Sequence, residues 1–142
     1  MFKVIPLLTL AMSATAWSGE LTIKVTNIKH AGVLYAAVYD DKEVFESDKG
    51  DNIQQRPGIV GGLVKIVTPG EAEGTIELEQ GTYTIAFYID KNDNEKIDTN
   101  FLGIPKEQFG FSNDVMGRLG PPSFEAASFN HRNETILTMK AK

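Results

Sequence analysis

Gly74-Thr75-Ile76-Glu77-Leu78-Glu79-Gln80-Gly81-Thr82-Tyr83-Thr84-Ile85-Ala86-Phe87-Tyr88-Ile89 decides the fold. Gly74 to Glu79 alternates apolar and polar residues, the period of a half-buried strand. Gln80-Gly81 turns the chain. Thr82 to Ile89 then forms the strongest strand of the protein, with Tyr83, Ile85, Phe87 and Ile89 on one face. A glycine two residues before a tyrosine at the mouth of a strand recurs in β-sandwich modules, where the tyrosine hydroxyl ties back to the corner backbone. The plainer alternative for Tyr83 is an ordinary core aromatic.

The same period extends outward from this pair. Leu21, Ile23 and Val25 alternate with Thr22, Lys24 and Thr26, and His30-Ala31-Gly32 follows as a turn. Val33 to Tyr39 is apolar on both faces, as a central strand is. The two segments are expected to form a hairpin. Asp40 to Arg56 is polar, with one helical turn at Glu43-Val44-Phe45 and Phe45 as an anchor into the core. Ile59 to Thr68 is the next strand, its start loosened by Gly61-Gly62 into a bulge or a close backbone approach. Thr135 to Lys140 is the last.

Between the last two strands lies a long stretch, 90–133, without strand periodicity. Its length marks it as functional or self-packed, and Phe101, Phe109, Phe111, Phe124 and Phe129 supply apolar anchors from which order is expected. Pro121-Pro122-Ser123 opens its one predicted helix, Ser123 to Phe129, with Ser123 as the N-cap. The expectation is an all-β fold: an Ig-like or prealbumin-like sandwich of about seven strands, carrying a long ordered insertion before the last strand.

The chain opens with the grammar of an export signal. Met1-Phe2-Lys3 is a short basic start, Val4 to Met12 an apolar run, and Ala14-Thr15-Ala16 a cleavage site. Cleavage after Ala16 would leave 17–142 as a single domain in the periplasm or the medium. The run falls well short of the roughly 20 residues that span a bilayer, so no membrane span is expected after cleavage. The net charge of −5 argues against a nucleic-acid footprint. The absence of cysteine excludes disulfides, thiol catalysis and thiolate-bound zinc. His30 and His131 are the only imidazoles, and His131, between Asn130 and Arg132, is expected on the surface.

Chemistry concentrates just past the strongest strand. Asp90, Asn92, Asn94 and Asp98 occupy positions one, three, five and nine of a calcium-type loop, with Lys96 offering a backbone carbonyl at position seven. Such spacing wraps oxygens around a hard cation, and Ca2+ is expected over Mg2+ because many loosely arranged oxygens suit it better. Two residues depart from the pattern: Glu95 stands where the sharp turn wants glycine, and Phe101 stands where a bidentate glutamate would close the shell. Glu107 is the nearest carboxylate that could replace it; Asp114 and Asp93 are alternatives. A solvated acidic turn would give the same spacing.

The remaining candidates carry less. The carboxylates of the stretch could form an acid–base pair for glycoside hydrolysis, but acidic residues are common on an acidic protein. A serine triad of Ser112 or Ser123 with His131 lacks the G-x-S-x-G elbow. Phe109, Phe111 and Phe124, with Arg118 beside them, could form a ligand patch; the favoured reading is a miniature core that holds the loop to the sandwich.

Long motifs tie these features together. They are Gly81-x-Tyr83, the ladder from Asp90 to Asp98 followed by Thr99-Asn100-Phe101-Leu102-Gly103-Ile104-Pro105-Lys106-Glu107, then Phe109-Gly110-Phe111-Ser112-Asn113, and Gly120-Pro121-Pro122-Ser123-Phe124-Glu125-Ala126-Ala127-x-Phe129. On these the mature chain resembles the bacterial family of domain of unknown function 2141, whose pattern commonly has glycine where Glu95 stands. The resemblance implies an exported bacterial protein, little more than a signal and this one domain. It supplies no activity, and suggests that function resides in the motif-rich insertion. The resulting expectation is a non-enzymatic binding or accessory module of the envelope, partnered by an envelope protein or a small ligand. The alternatives are a small envelope hydrolase using insertion carboxylates, and a structural partner of another envelope protein.

Overall fold

In the computed structural model the described residues are 17–48, 56–94, 97, 106–118 and 120–142. The expected signal lies outside them, as do Lys96 and Asp98 of the oxygen ladder. The described chain is all-β: β1 (Ser18–Ile28), β2 (Gly32–Tyr39), β3 (Ile59–Val67), β4 (Gly70–Glu79), β5 (Gly81–Asp90), β6 (Phe109–Phe111), β7 (Phe129–His131) and β8 (Glu134–Lys140), with two short helices, α1 (Lys42–Ser47) and α2 (Phe124–Ala127). One sheet has the order β4-β1-β8. The other runs β3-β2-β5-β6, with β7 pairing the start of β5.

The alternating strands behave as their period dictates. Leu21, Ile23 and Val25 of β1 face Leu34, Ala36 and Val38 of β2 and Tyr83, Ile85, Phe87 and Ile89 of β5 across one apolar layer. Each fully buried Leu, Ile or Phe contributes about 1.5–3 kcal/mol over leaving it in water. The tyrosine corner is present: the Tyr83 hydroxyl donates to the Glu79 carbonyl at 2.7 Å. Gly81 is what lets the ring lie there, since a Cβ would stand 3.1 Å from the ring and its hydroxyl.

β1 and β2 are not the hairpin that their order suggested. β1 pairs antiparallel with β4 and parallel with β8, while β2 pairs with β3 and β5. Asn27, whose φ of 64° is left-handed, sits in the register shift at the end of β1, and the chain crosses between sheets just beyond it, before Gly32. Both strands carry an apolar row, and stacking the rows buries each against the other. The glycines of β3 coincide with a register shift opposite Val38 and Tyr39, which leaves Val60 as the bulged residue.

The insertion is not strandless. β6 and β7 both pair with β5, opposite Ala86 to Tyr88 and Gly81 to Tyr83 respectively. Strands of three residues are too short to show a period. The insertion also covers the outer face of the β3-β2-β5-β6 sheet, where Tyr39, Phe45, Ile59 and Ala127 form a second core with Phe111, Val115 and Phe124 around it. Phe45, at the heart of that core, is the predicted anchor. α2 is capped by Ser123, whose hydroxyl accepts the Ala126 N–H at 3.1 Å.

The two sheets are joined along one side. Lys142 N–H donates to the Phe109 carbonyl at 3.0 Å, and Phe109 N–H to the Lys142 carbonyl at 3.3 Å. This seam connects the β6 edge of one sheet to the chain beyond β8 of the other. Gly110 fits beneath it because a Cβ there would lie 2.5 Å from the Phe87 ring.

Candidate functional site

β5 delivers Asp90 to the mouth of the insertion. The residue is only 1 % exposed, and its Oδ1 accepts the Asn94 N–H at 3.3 Å. Asp93, with a left-handed φ of 60°, makes the tight turn between them, a conformation that Asp and Asn tolerate. The insertion returns to the same point at Glu107, 5 % exposed. Its Oε2 accepts the Lys91 N–H at 2.6 Å. Two buried carboxylates therefore close one loop root from either end. Asn92 and Asn94 are exposed along the turn.

Of the three carboxylates that could complete the shell, only Glu107 lies at this root with Asp90. Asp93 is exposed. Asp114 is spent elsewhere, its Oδ1 accepting the Lys140 N–H at 2.8 Å. Among the described residues no three His, Asp or Glu side chains group to hold a metal ion. The donor set is all oxygen, from carboxylate and amide, which suits a hard cation. Burying carboxylates is costly unless hydrogen bonds or a cation compensate them.

The aromatic candidates are packed rather than displayed. Phe111 and Phe124 each meet the Phe45 ring edge-on, with centroids 6.0 and 6.1 Å away. Phe109 meets Phe111 in the same manner at 5.9 Å. Arg118 is exposed, on the loop before α2. The loop that opens at the end of α1 has its own root: Arg56 Nη2 lies 3.1 Å from Asp48 Oδ2, and the Tyr39 hydroxyl donates to the same oxygen. Burial foremost, then the Asp48 charge and hydrogen bond, push the Tyr39 phenol well above its ordinary range.

His131 is not on the surface. It is 1 % exposed, its ring tilted against Tyr83. Nε2 lies 3.0 Å from the Leu78 carbonyl and 3.2 Å from that of Gly19, so Nε2 carries a proton and donates to both. Nδ1 lies 2.8 Å from the Thr135 hydroxyl. The ring thus ties β7 to β1, β4 and β8. A polar tripeptide conceals such burial, because β7 is too short for its inward residue to stand out.

Ser112, weighed in the sequence as a triad serine, and Asp114, weighed as a ligand, both do structural work, with Asn113 between them. Ser112 Oγ accepts the Ile85 N–H at 2.9 Å and donates to the Ala127 carbonyl. The Asn113 amide donates to the carbonyls of Ala126 and Ser128 at 3.1 and 2.8 Å. Asp114 holds β8. Three consecutive side chains thus satisfy the backbone of β5, α2 and β8. Neither Ser112 nor the capping Ser123 is among the hydrogen-bond partners of His131, which are Thr135, Gly19 and Leu78.

Residues 23–138 match the family described as "Uncharacterized protein conserved in bacteria (DUF2141)". The matched span runs from within β1 to within β8 and contains both loop roots. No curated protein and no solved structure matches the chain.

Proposed function

The chain belongs to that family of uncharacterised bacterial proteins, and from this premise we propose that it is an exported, non-enzymatic binding or accessory module of the envelope, organised by a calcium-type loop at Asp90. Export, to the periplasm or the medium, is supported by the signal-like pattern of the Met1 to Ala16 sequence. The observation that supports the cation reading is that two buried carboxylates, Asp90 and Glu107, each accept a backbone N–H from the first residues of an oxygen-rich loop. Asn92, Asn94, Asp98 and the Lys96 carbonyl extend the same ladder. A Ca2+ ion would neutralise the root and pin the insertion to β5. Serine, histidine and aspartate side chains that could have served catalysis are engaged in holding strands together, which favours a binding role over hydrolysis.

Thermal melts in Ca2+ and in chelator test this. A ligand that binds only the folded state stabilises it by about 2.7 kcal/mol at a concentration of 100 times Kd. The expected outcome is an upward shift in Tm with calcium in the wild type and none in D90N or E107Q. Equal melts, together with no heat of binding at millimolar calcium, would sink the reading.

One observation favours a second reading, docking against another envelope protein. Val64 and Ile66, 67 % and 83 % exposed, stand with Val60 on the outer face of β3. Substituting both with threonine should abolish capture of an envelope partner if that face is used.

A further inference from the structure

We propose that Glu107-Gln108-Phe109 is a bracket that couples the Asp90 loop root to the seam between the two sheets, so that root and seam open as one unit. Three consecutive residues make the connection. The Glu107 carboxylate holds the Lys91 N–H at 2.6 Å. The Gln108 side chain accepts the Lys29 N–H at 2.7 Å and donates to the Asn27 carbonyl at 2.8 Å, while its own carbonyl accepts the Ile89 N–H at 2.9 Å. Phe109 exchanges both backbone bonds with Lys142. The bracket therefore touches the loop root, the corner between β1 and β2, the end of β5 and the seam.

Hydrogen bonds weaken steeply below a donor angle of about 120°, and a side-chain contact at about 3.6 Å no longer counts as one. Planar peptide units join the three residues directly, so a displacement of this backbone segment acts on all of their bonds together. A backbone displacement that takes Glu107 away from Lys91 thus draws Gln108 off the corner and Phe109 off Lys142. The Asp114 bond to the Lys140 N–H, two elements along the same seam, joins the unit. Opening would detach β6 from the sheet edge and admit water over Phe87, where Gly110 now sits.

The coupling rests on hydrogen bonds alone; its control by a cation rests on the reading above. Amide hydrogen exchange across a urea series on the whole protein tests both. The Lys91, Phe109, Lys140 and Lys142 amides should converge on one opening isotherm, below that of Ile23 and Ile85 in the main core. E107A should speed exchange at Lys142 about tenfold, the worth of a lost hydrogen bond, and leave Ile23 unchanged. Lys91 opening on a separate isotherm from Lys142, or no change at Lys142 in E107A, would overturn the coupling; should E107A not fold, the wild-type isotherms decide. Calcium that slows Lys91 must slow Lys142 by the same factor, and slowing at Lys91 alone overturns the coupling. Calcium that slows neither removes the cation reading and leaves a shared isotherm as support for the bracket.

Discussion

Two excursions leave the β3-β2-β5-β6 sheet at opposite ends, and their roots are built from different chemistry. The first, past α1, is closed by Asp48 against Arg56 and the Tyr39 hydroxyl. A carboxylate meets a guanidinium and a phenol, so the chain supplies both signs of charge. The second, past β5, is bounded by two buried carboxylates, Asp90 and Glu107, each accepting a backbone N–H. The contrast teaches that a buried acid is not by itself a sign of function. Asp48 is matched by the Arg56 guanidinium and the Tyr39 hydroxyl, whereas Asp90 and Glu107 accept backbone N–H groups at either end of the second root.

The largest expected effect strikes both excursions at once. Phe45 packs on Tyr39 beside the first root and on Phe111 and Phe124 of the second, so F45A should cost about 3–5 kcal/mol through the cavity it leaves. Urea unfolding would measure it, and a loss below about 1 kcal/mol would mean the outer core is not shared. D48A comes next and should act on the first root only. It leaves a buried phenol hydroxyl without its acceptor, at about 1–3 kcal/mol, and should keep whatever calcium response the wild type shows. Loss of that response in D48A would erase the distinction between the roots.

The smallest effect concerns the surface bridge between the excursions, where Lys42 Nζ lies 2.9 Å from Glu125 Oε2. The Lys42 hydrogen bond, ahead of all other causes, lowers the Glu125 carboxyl. A lowered acid stabilises the fold above its unfolded pKa and loses that contribution as pH falls through its folded one. The stability difference between wild type and E125Q should therefore be small at neutral pH and vanish in acid. A difference that grows on acidification would contradict the pairing.

Much of the fold was legible because strong period and turn chemistry are local. Thr82 to Ile89, the Gly81–Tyr83 corner, the Ser123 cap and the Phe45 anchor all follow from spacing within a few residues. Partner choice is not local. Nothing in Leu21 to Tyr39 distinguishes a hairpin from two stacked strands, since either arrangement buries the apolar rows. Phe109–Phe111 and Phe129–His131 owe their strand form to β5 rather than to their own pattern, and His131 is buried by neighbours distant in sequence. At the candidate site the ladder spacing points to Asp90, and Glu107 is preferred to Asp93 and Asp114 on sequence position alone. Only the return of the chain to Lys91 separates Glu107 from the other two.

β3 carries a further consequence. It is an outer strand with a greasy flank at Val64 and Ile66, the kind of border along which identical molecules zip into fibrils. Its bulge at Val60 breaks the flat template. Lys65 turns its ammonium toward the Glu73 carbonyl at 2.8 Å, so a charge would have to be uprooted before another strand could continue the ladder. The border is thereby guarded against runaway growth, although its flank is apolar and exposed.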